Sequence, residues 1–180
     1  MTAVPGPRVH VIGTSGSGKT TIARRLSAAR GVPHIELDAL HWLPAWQERD
    51  ADEFRAMLTK RLEAPEWVVD GNYLGRARDI LWDRATTIVW LDLPRRQVMR
   101  QVIVRTLGRW VRRERLWSGN RESLRVSLFD REDSIIWWAW RTHARRKRKY
   151  SELFAEPRAQ QVIRLRSRGE IEAWLRALGA

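Results

Sequence analysis

Short apolar runs alternate with longer stretches of helical spacing along the chain. The short runs are rich in β-branched residues and predict buried strands, at 9–12, 34–37, 67–70, 87–91 and 162–165. Between and after them, apolar residues recur every three or four positions and predict helices, over 19–29, 50–62, 78–82, 98–110, 135–153 and 167–178. Because strand and helix alternate five times, the pattern predicts an α/β fold in which helices cover both faces of a parallel sheet.

Length and composition favour one folded domain. The 180 residues suit a single compact domain over 1–180, and a hydrophobic fraction of 43% is too high for a disordered basic tail. The absence of cysteine excludes disulfides and thiolate metal sites. Residues 1–8 lack the apolar core of a secretory signal, and the apolar run 135–140 is far shorter than the roughly 20 residues that span a bilayer. We therefore expect a cytoplasmic protein without a membrane span.

The net charge of +13 is concentrated in one half of the chain. Residues 1–93 hold 12 basic and 12 acidic side chains, whereas residues 94–180 hold 22 basic and 9 acidic ones. A local surplus of positive charge indicates a local anionic partner, such as a nucleotide, a polynucleotide or a membrane surface.

A glycine-rich segment follows the first predicted strand and leads into the first predicted helix. It reads Gly13-Thr14-Ser15-Gly16-Ser17-Gly18-Lys19-Thr20 and has the spacing of a P-loop. The glycines let backbone N–H groups surround phosphate oxygens, and the helix N-terminus adds partial positive charge. In such a loop Lys19 reaches the β- and γ-phosphates, and the Thr20 hydroxyl holds Mg²⁺. The segment therefore predicts a site for ATP and Mg²⁺.

A P-loop site also needs a carboxylate that orients Mg²⁺ through its waters, and two aspartates qualify. Asp70 ends the third predicted strand and precedes Gly71, while Asp92 follows the fourth strand. We favour Asp70, because a carboxylate before a glycine lies at the C-terminal edge of the sheet, where open α/β sheets bind ligands. The alternative is that either aspartate only caps the next helix.

A polar and aromatic cluster follows the second predicted strand. It contains Asp38, His41 and Trp42. As a catalytic base, Asp38 could take the proton of an acceptor hydroxyl, with His41 and Trp42 shaping the acceptor pocket. The alternative is that Asp38 is the N-cap of a short helix. His41 is a poor candidate for a metal ligand, because no second histidine lies near it in sequence and cysteine is absent.

Beyond the P-loop, five further segments carry a distinctive pattern. The six together are GTSGSGKTTIARRL at 13–26, HIELDALHW at 34–42, WVVDGNY at 67–73, TIVWLDLPR at 87–95, WSGNRE at 117–122 and VIRLRSRGEIEAWL at 162–175. In this order they resemble the P-loop nucleoside and nucleotide kinases, and more closely the adenylate-kinase-related topology modulation proteins. The resemblance covers nearly the whole chain, although only the P-loop is specific to nucleotide binding.

The resemblance implies a three-layer fold with a five-stranded sheet of order 2-3-1-4-5 and an Arg-rich lid inserted at about 109–130. It extends the ATP site over 13–21, so that Thr21 belongs to it. Ser167 and Arg168 fall where such kinases wrap the adenine ring.

The segment after the third strand departs from the adenylate kinase pattern. Asp70 matches the aspartate of the Asp-Gly-Phe-Pro-Arg segment of that family, but Asn72, Tyr73 and Leu74 replace Phe-Pro-Arg. The missing arginine is one that grips the nucleoside monophosphate, so the departure argues against AMP as acceptor. Either Arg76 or Arg78 could substitute for it, and we take Asn72, Tyr73 and Arg76 as candidates for acceptor contacts.

Arginines surround the Trp117–Asn120 turn inside the predicted lid. They are Arg109, Arg112, Arg113, Arg115 and Arg121. Closing over the phosphates, Arg112, Arg113 and Arg121 would neutralise the transferring group, since guanidinium forks bind phosphate oxygens in pairs. The alternative is a general bias of composition, since the chain has 30 Arg and only 4 Lys.

A second basic run lies on the long helix, where six of the nine residues 141–149 are Arg or Lys. It would suit nucleic acid or a membrane surface, or it is a solvated helix face. Two functions remain open: an ATP-dependent kinase that phosphorylates a small acceptor such as a nucleoside or nucleotide, and a nucleotide-gated ATPase that binds nucleic acid.

Overall fold

The computed structural model describes residues 3–120 and 134–180, apart from the side chain of Ile135. The strands are β1 (Arg8–Gly13), β2 (His34–Glu36), β3 (Trp67–Asp70), β4 (Thr87–Leu91) and β5 (Gln161–Leu165). The helices of these two ranges are α1 (Lys19–Arg30), α2 (Leu37–His41), α3 (Ala51–Arg61), α4 (Leu74–Trp82), α5 (Arg95–Val111), α6 (Ile135–Ala155) and α7 (Arg168–Ala177). Two short 3₁₀ turns lie at Pro44–Trp46 and Trp117–Gly119.

The five strands form one parallel sheet of order β2-β3-β1-β4-β5, as predicted. In this sheet Val11 of β1 lies opposite Asp70 of β3 on one side and Val89 of β4 on the other. From β1 the chain passes to the edge strand β2, returns through β3, and then continues on the other side of β1 through β4 to the edge strand β5. The C-terminal ends of β1 and its neighbours therefore surround the switch point, where ligands bind in open α/β sheets.

Alternate residues of the strands enter two hydrophobic clusters on opposite faces of the sheet. Val9 and Val11 pack in the cluster that contains Leu26 of α1 and Trp174 of α7. Ile12 packs in the other cluster, with Phe54 of α3. The sheet is thus buried between two helical layers, which confirms the predicted three-layer arrangement.

Two predicted boundaries differ from the structure. Leu37 begins α2 instead of ending a strand, and α4 begins at Leu74 instead of near Arg78. The backbone of Ala77 leaves the helical region with φ of −145°, which breaks the regular spacing at the start of α4. Within 3–120 and 134–180, no helix is long and apolar enough to cross a bilayer.

His10 of β1 is fully buried and hydrogen-bonded at both ring nitrogens. The Trp82 indole N–H donates to Nδ1 at 3.2 Å, so Nε2 carries the proton and donates to the Gly71 carbonyl at 3.0 Å. Burial lowers the pKa of His10 from 6.5 to about 4. A second proton would have to enter at Nδ1, which already faces a donor.

We expect His10 to make the protein less stable in mild acid. Between pH 6.5 and 4 the unfolded chain binds a proton at this histidine that the folded protein does not, so stability falls as the pH falls. At pH 5 the loss is about 2 kcal/mol relative to pH 7. Urea unfolding of the wild type and His10→Gln at both pH values measures it. Equal losses in the two proteins would contradict the assignment.

Candidate active site

The P-loop connects β1 to α1 and opens on a cleft of about 870 Å³. Its residues that line the cleft are Ser15, Gly16, Gly18, Lys19, Thr20 and Thr21. Gly13, Thr14 and Ser17 are buried behind them. Gly16 has φ of 80°, and a Cβ there would lie 2.2 Å from a methyl group of Val102 in α5. Only glycine therefore lets the loop pass this close to α5.

Lys19 is the first residue of α1, and its side chain reaches back across the loop. Its Nζ donates to the Thr14 carbonyl at 3.2 Å. Burial lowers the pKa of Lys19 to about 8, while the charges of Asp38 and Asp70 work in the opposite direction. The ammonium is thus held where α1 begins, and Gly18 at the N-cap offers no side chain to the helix N–H groups. A bound anion can therefore accept hydrogen bonds from the Lys19 ammonium and from the uncapped N–H groups of α1.

Asp70 ends β3 directly beside α1 and is 2% exposed. The Thr20 hydroxyl donates to its Oδ2 at 2.5 Å, and His34 Nε2 lies 3.0 Å from its Oδ1. Asp92, the other candidate, instead pairs with Arg164 at 2.6 Å and with Lys147 at 3.4 Å. Of the two aspartates, Asp70 is therefore the one that contacts the P-loop helix.

The residues after Asp70 join the parts of the site. His10 holds the Gly71 carbonyl, as described above. Asn72 accepts at Oδ1 from the Gly13 N–H at 3.2 Å and from the Tyr150 hydroxyl at 3.2 Å, and its Nδ2 donates to the Gly13 carbonyl at 2.5 Å. Both ends of this amide are engaged, so Asn72 fixes the start of the P-loop rather than offering its amide to an acceptor.

Asp38 lies in the first turn of α2 and lines the cleft. The Tyr73 hydroxyl donates to its Oδ1 at 2.7 Å. Burial and the neighbouring Asp38 raise the pKa of Tyr73, so this hydroxyl stays a donor. The residue at the N-cap of α2 is Glu36, and the interpretation of Asp38 as the cap was therefore wrong.

The other residues predicted for the acceptor pocket pack behind Asp38. His41 is 3% exposed and contacts the rings of Trp42 and Tyr73, with centroids 4.6 and 4.7 Å away. Burial lowers the pKa of His41, which favours the neutral ring. Arg76 pairs with Glu48 at 2.5 Å. Within the described ranges, none of His41, Trp42, Tyr73 and Arg76 lines the cleft.

Glu36 is a cleft residue that the sequence analysis did not single out. It lies opposite Asp70 in the β2–β3 pairing, lines the cleft and pairs with Arg24 at 3.2 Å. Burial and the charge of Asp70 raise the pKa of Glu36, whereas a hydrogen bond from Trp117 lowers it. Glu36 ends a predicted strand at the same sheet edge as Asp70, and this position in the sequence could have indicated that it faces the site.

Arg146 of α6 lies outside the described cleft lining, but its charge acts on the P-loop lysine. Its guanidinium lies over the Trp138 ring at 4.1 Å, and its Nη1 is buried with no hydrogen-bond partner among the described residues. Burial lowers the pKa of Arg146, whereas the charge of Asp38 raises it, and the charge of Arg146 in turn lowers the pKa of Lys19. It follows the buried Thr142 by four positions along α6. Residues four positions apart lie on the same face of a helix, so this spacing could have indicated that Arg146 faces inward, unlike the exposed arginines of the run 141–149.

The arginines that line the cleft differ in part from those expected. They are Arg24, Arg100, Arg105, Arg109, Arg115 and Arg168, of which Arg109, Arg115 and Arg168 had been named from the sequence. Arg112 and Arg113 are exposed and lie outside the described lining, because α5 ends at Val111 and the chain then turns. Arg121 lies outside the residues that the structure describes. Ser167, which the resemblance places beside the adenine ring, caps α7 by accepting from the Glu170 N–H at 3.1 Å and is not among the described residues that line the cleft.

The basic run 141–149 is used partly within the protein. Arg146 faces inward and Lys147 pairs with the buried Asp92. Fewer cations are therefore available to a polyanion than the sequence count indicates.

The site fits Mg²⁺ and a nucleotide by its donor set. Thr20 and Asp70 present oxygen atoms at the P-loop, and Mg²⁺ at such sites takes only one or two protein ligands besides phosphate and water. The described residues contain no cluster of three or more His, Asp or Glu arranged for a metal. A metal that is held jointly by phosphate, water and one or two protein oxygens does not need such a cluster.

Comparison with known proteins gives matches of two kinds. No protein-family model matches the chain. Over 133 residues it is 26% identical to the uncharacterized protein YqaC of Bacillus subtilis strain 168, covering 73% of this chain and 70% of that protein.

Solved kinase structures superpose on nearly the whole chain. Shikimate kinase from Bacteroides thetaiotaomicron matches with a TM-score of 0.55 at 16% identity, covering 95% of each chain. A gluconokinase from Sinorhizobium meliloti 1021 matches with a TM-score of 0.52 at 22% identity, covering 97% of this chain and 93% of the other. Together with the order of its five parallel strands, these matches show that the chain has the P-loop kinase fold.

Proposed function

We propose that this protein is an ATP- and Mg²⁺-dependent kinase that transfers the γ-phosphoryl group to a hydroxyl of a small acceptor. One observation carries the proposal: the P-loop lysine and a carboxylate held by a tyrosine hydroxyl, Lys19 and Asp38, line the same cleft. A nucleotide-binding loop alone would suit any ATPase. A positioned base across the cleft suits transfer to a second substrate.

The nucleotide side of the cleft binds and orients ATP. The loop 13–21 surrounds the phosphates, and Lys19 leaves the Thr14 carbonyl to contact the β- and γ-phosphates. Arg105, Arg109 and Arg115 neutralise charge on the transferring group, and Arg168 lies on the adenine side. Thr20 and Asp70 would hold the metal, which would supply positive charge that stabilises the phosphates during transfer.

The acceptor side supplies the proton transfer. Tyr73 occupies Oδ1 of Asp38, which leaves Oδ2 to accept the proton of the acceptor hydroxyl. The acceptor oxygen then bonds to the γ-phosphorus as the bond from that phosphorus to the ADP oxygen breaks. Asp38 holds the proton until the product leaves.

Arg146 gives this proposal a specific expected result. We expect Arg146→Ala to lower kcat/KM about 10-fold, because its positive charge acts on Lys19 and its buried Nη1 has no hydrogen-bond partner among the described residues. The variant should unfold near the wild-type temperature, since the lost contact with the Trp138 ring is offset by removal of the desolvation cost of a partly buried charge. The exposed Arg148→Ala is the matched control. Loss of stability with full activity would assign Arg146 a structural role.

The acceptor class follows from the same contacts. The adenylate kinase arginine is absent, and its nearest replacement, Arg76, is occupied by Glu48, so AMP is a poor acceptor. The structural neighbours are named for shikimate and gluconate, which are small hydroxylated acids. We include such acids, sugars, nucleosides and nucleoside monophosphates other than AMP in one acceptor class to be tested. We also propose, from the order of its motifs, that the chain is related to the topology modulation proteins.

A screen of ADP release tests the function. The wild type should release ADP slowly with ATP and Mg²⁺ alone and several-fold faster with one member of the acceptor class. If no acceptor increases the rate while double-stranded DNA or RNA does, the nucleic-acid-dependent ATPase is the better account.

A further inference from the structure

The segment between α2 and α3 forms a small hairpin, which we call the acceptor-side hairpin (residues 42–48). Leu43 N–H donates to the Gln47 carbonyl at 2.9 Å, and Trp42 and Glu48 form an antiparallel bridge. The hairpin follows directly after the short helix that carries Asp38. The hairpin is therefore attached directly to the helix that places Asp38 at the cleft.

The turn that follows α5 is attached to this hairpin through Asn120 and Ser118. Asn120 is 6% exposed, accepts at Oδ1 from the Trp46 N–H at 3.1 Å, and donates from Nδ2 to the Leu43 carbonyl at 2.8 Å. Ser118 Oγ donates to the Trp42 carbonyl at 2.6 Å. Three hydrogen bonds over a sequence distance of more than 70 residues thus join one turn to one hairpin.

Both partners hold strained backbone where they meet. Ala45 and Trp46 have φ of 58° and 57°, and Ser118 has φ of 54°, the left-handed region that costs non-glycine residues free energy. The rings of Trp46 and Trp117 lie 6.3 Å apart. Because the strained Trp46 donates its N–H to Asn120, the contact holds this hairpin conformation in place.

The same stretch of chain also forms the nucleotide side of the cleft. Arg109 and Arg115 line the cleft together with the P-loop, and so does Trp117, which is hydrogen-bonded to Glu36. A nucleotide that draws these arginines inward would therefore also restrict the turn at 117–120. This turn is hydrogen-bonded to the acceptor-side hairpin.

We propose that Asn120 is a positioning residue that fixes the acceptor-side hairpin to the arginine-bearing segment 109–117, so that nucleotide binding orders the acceptor side. The proposal rests on the proposed function only in requiring that the cleft binds nucleotide. By linkage, the factor by which bound nucleotide tightens acceptor binding equals the factor by which bound acceptor tightens nucleotide binding.

Hydrogen exchange with Mg²⁺ and the non-hydrolysable ATP analogue AMPPNP tests this coupling. In the wild type, saturating analogue should slow exchange of the P-loop, of 109–120 and of the hairpin together. In Asn120→Ala the P-loop should still be protected, while the analogue-dependent protection of the hairpin falls at least 10-fold. A purely structural role would raise exchange with and without the analogue alike.

Matched variants sharpen the result. Asn120→Asp keeps the size and the acceptor for Trp46 but removes the donor to Leu43, and we expect it to lose the coupling as well. Ser118→Ala removes one of the three bonds and should have an intermediate effect. The exposed Gln47→Ala changes the hairpin outside this contact and should behave as the wild type.

The outcomes separate the two proposals. Protection of the P-loop and of 109–120 without the hairpin in the wild type, or an unchanged response in Asn120→Ala, overturns the role of Asn120 and leaves the kinase proposal standing. No protection of the P-loop at saturating analogue overturns the nucleotide site itself and both proposals with it.

Discussion

Lys19→Ala is expected to lower ATP turnover by about 100-fold or more, because the ammonium group is the cation that the P-loop holds at the start of α1. Without it the backbone N–H groups still contact phosphate, but the charge that develops between the β- and γ-phosphates is left without its nearest counter-charge. Initial rates of ADP release under saturating ATP and Mg²⁺ measure the effect.

The matched control for this change is Lys60→Ala. Lys60 is an exposed lysine in the last turn of α3 and should keep the wild-type rate. Thermal unfolding of Lys19→Ala should occur near the wild-type temperature, since burial disfavours its charge in the ligand-free protein. Full turnover by a folded Lys19→Ala protein would remove Lys19 from the catalytic machinery.

Asp38→Asn should reduce acceptor-dependent turnover by about 100-fold while leaving the KM for ATP nearly unchanged. The amide has the same shape and still accepts from the Tyr73 hydroxyl, but it does not take a proton from the acceptor. Steady-state kinetics at varied ATP and varied acceptor separate the two parameters.

Tyr73→Phe is the companion variant. It leaves the carboxylate of Asp38 in place and removes only the hydroxyl that holds Oδ1, so a smaller loss of about 10-fold is expected. If Asp38→Asn retained the wild-type kcat, the general-base role would pass to another group. Glu36 is the other carboxylate on that wall of the cleft.

Features encoded by neighbouring residues were predictable from the sequence. The P-loop, the helix cap at Ser167 and the strand that ends at Asp70 each depend on a few consecutive residues whose spacing carries the signal. The five strands followed from apolar runs. Their order followed only from the resemblance to known kinases, because pairing between distant strands leaves no trace in local periodicity.

Features that depend on where a side chain points were not predictable in the same way. Arg112 and Arg113 look like cleft arginines in the sequence, but α5 ends before them, and Arg105 and Arg109 on its inward face reach the cleft instead. Asn72 was expected to contact an acceptor, yet strand pairing brings its amide to Gly13. Each outcome depends on tertiary contacts between elements far apart in sequence.

The surplus of positive charge in residues 94–180 is divided between the cleft and pairs within the protein. Part of it lines the cleft, on α5 and the following segment, and part is paired inside the protein, as with Lys147 and Asp92. This distribution supports a small phosphate-bearing ligand as the main anionic partner.

The central claim is tested most directly by following the γ-phosphoryl group of labelled ATP. The wild type is incubated with γ-labelled ATP, Mg²⁺ and the acceptor that increases ADP release, and the products are separated by chromatography. The account predicts that the label moves to the acceptor in an amount equal to the ADP formed, and that Lys19→Ala transfers almost none. Label appearing only as inorganic phosphate, at a rate that no acceptor changes, would contradict it.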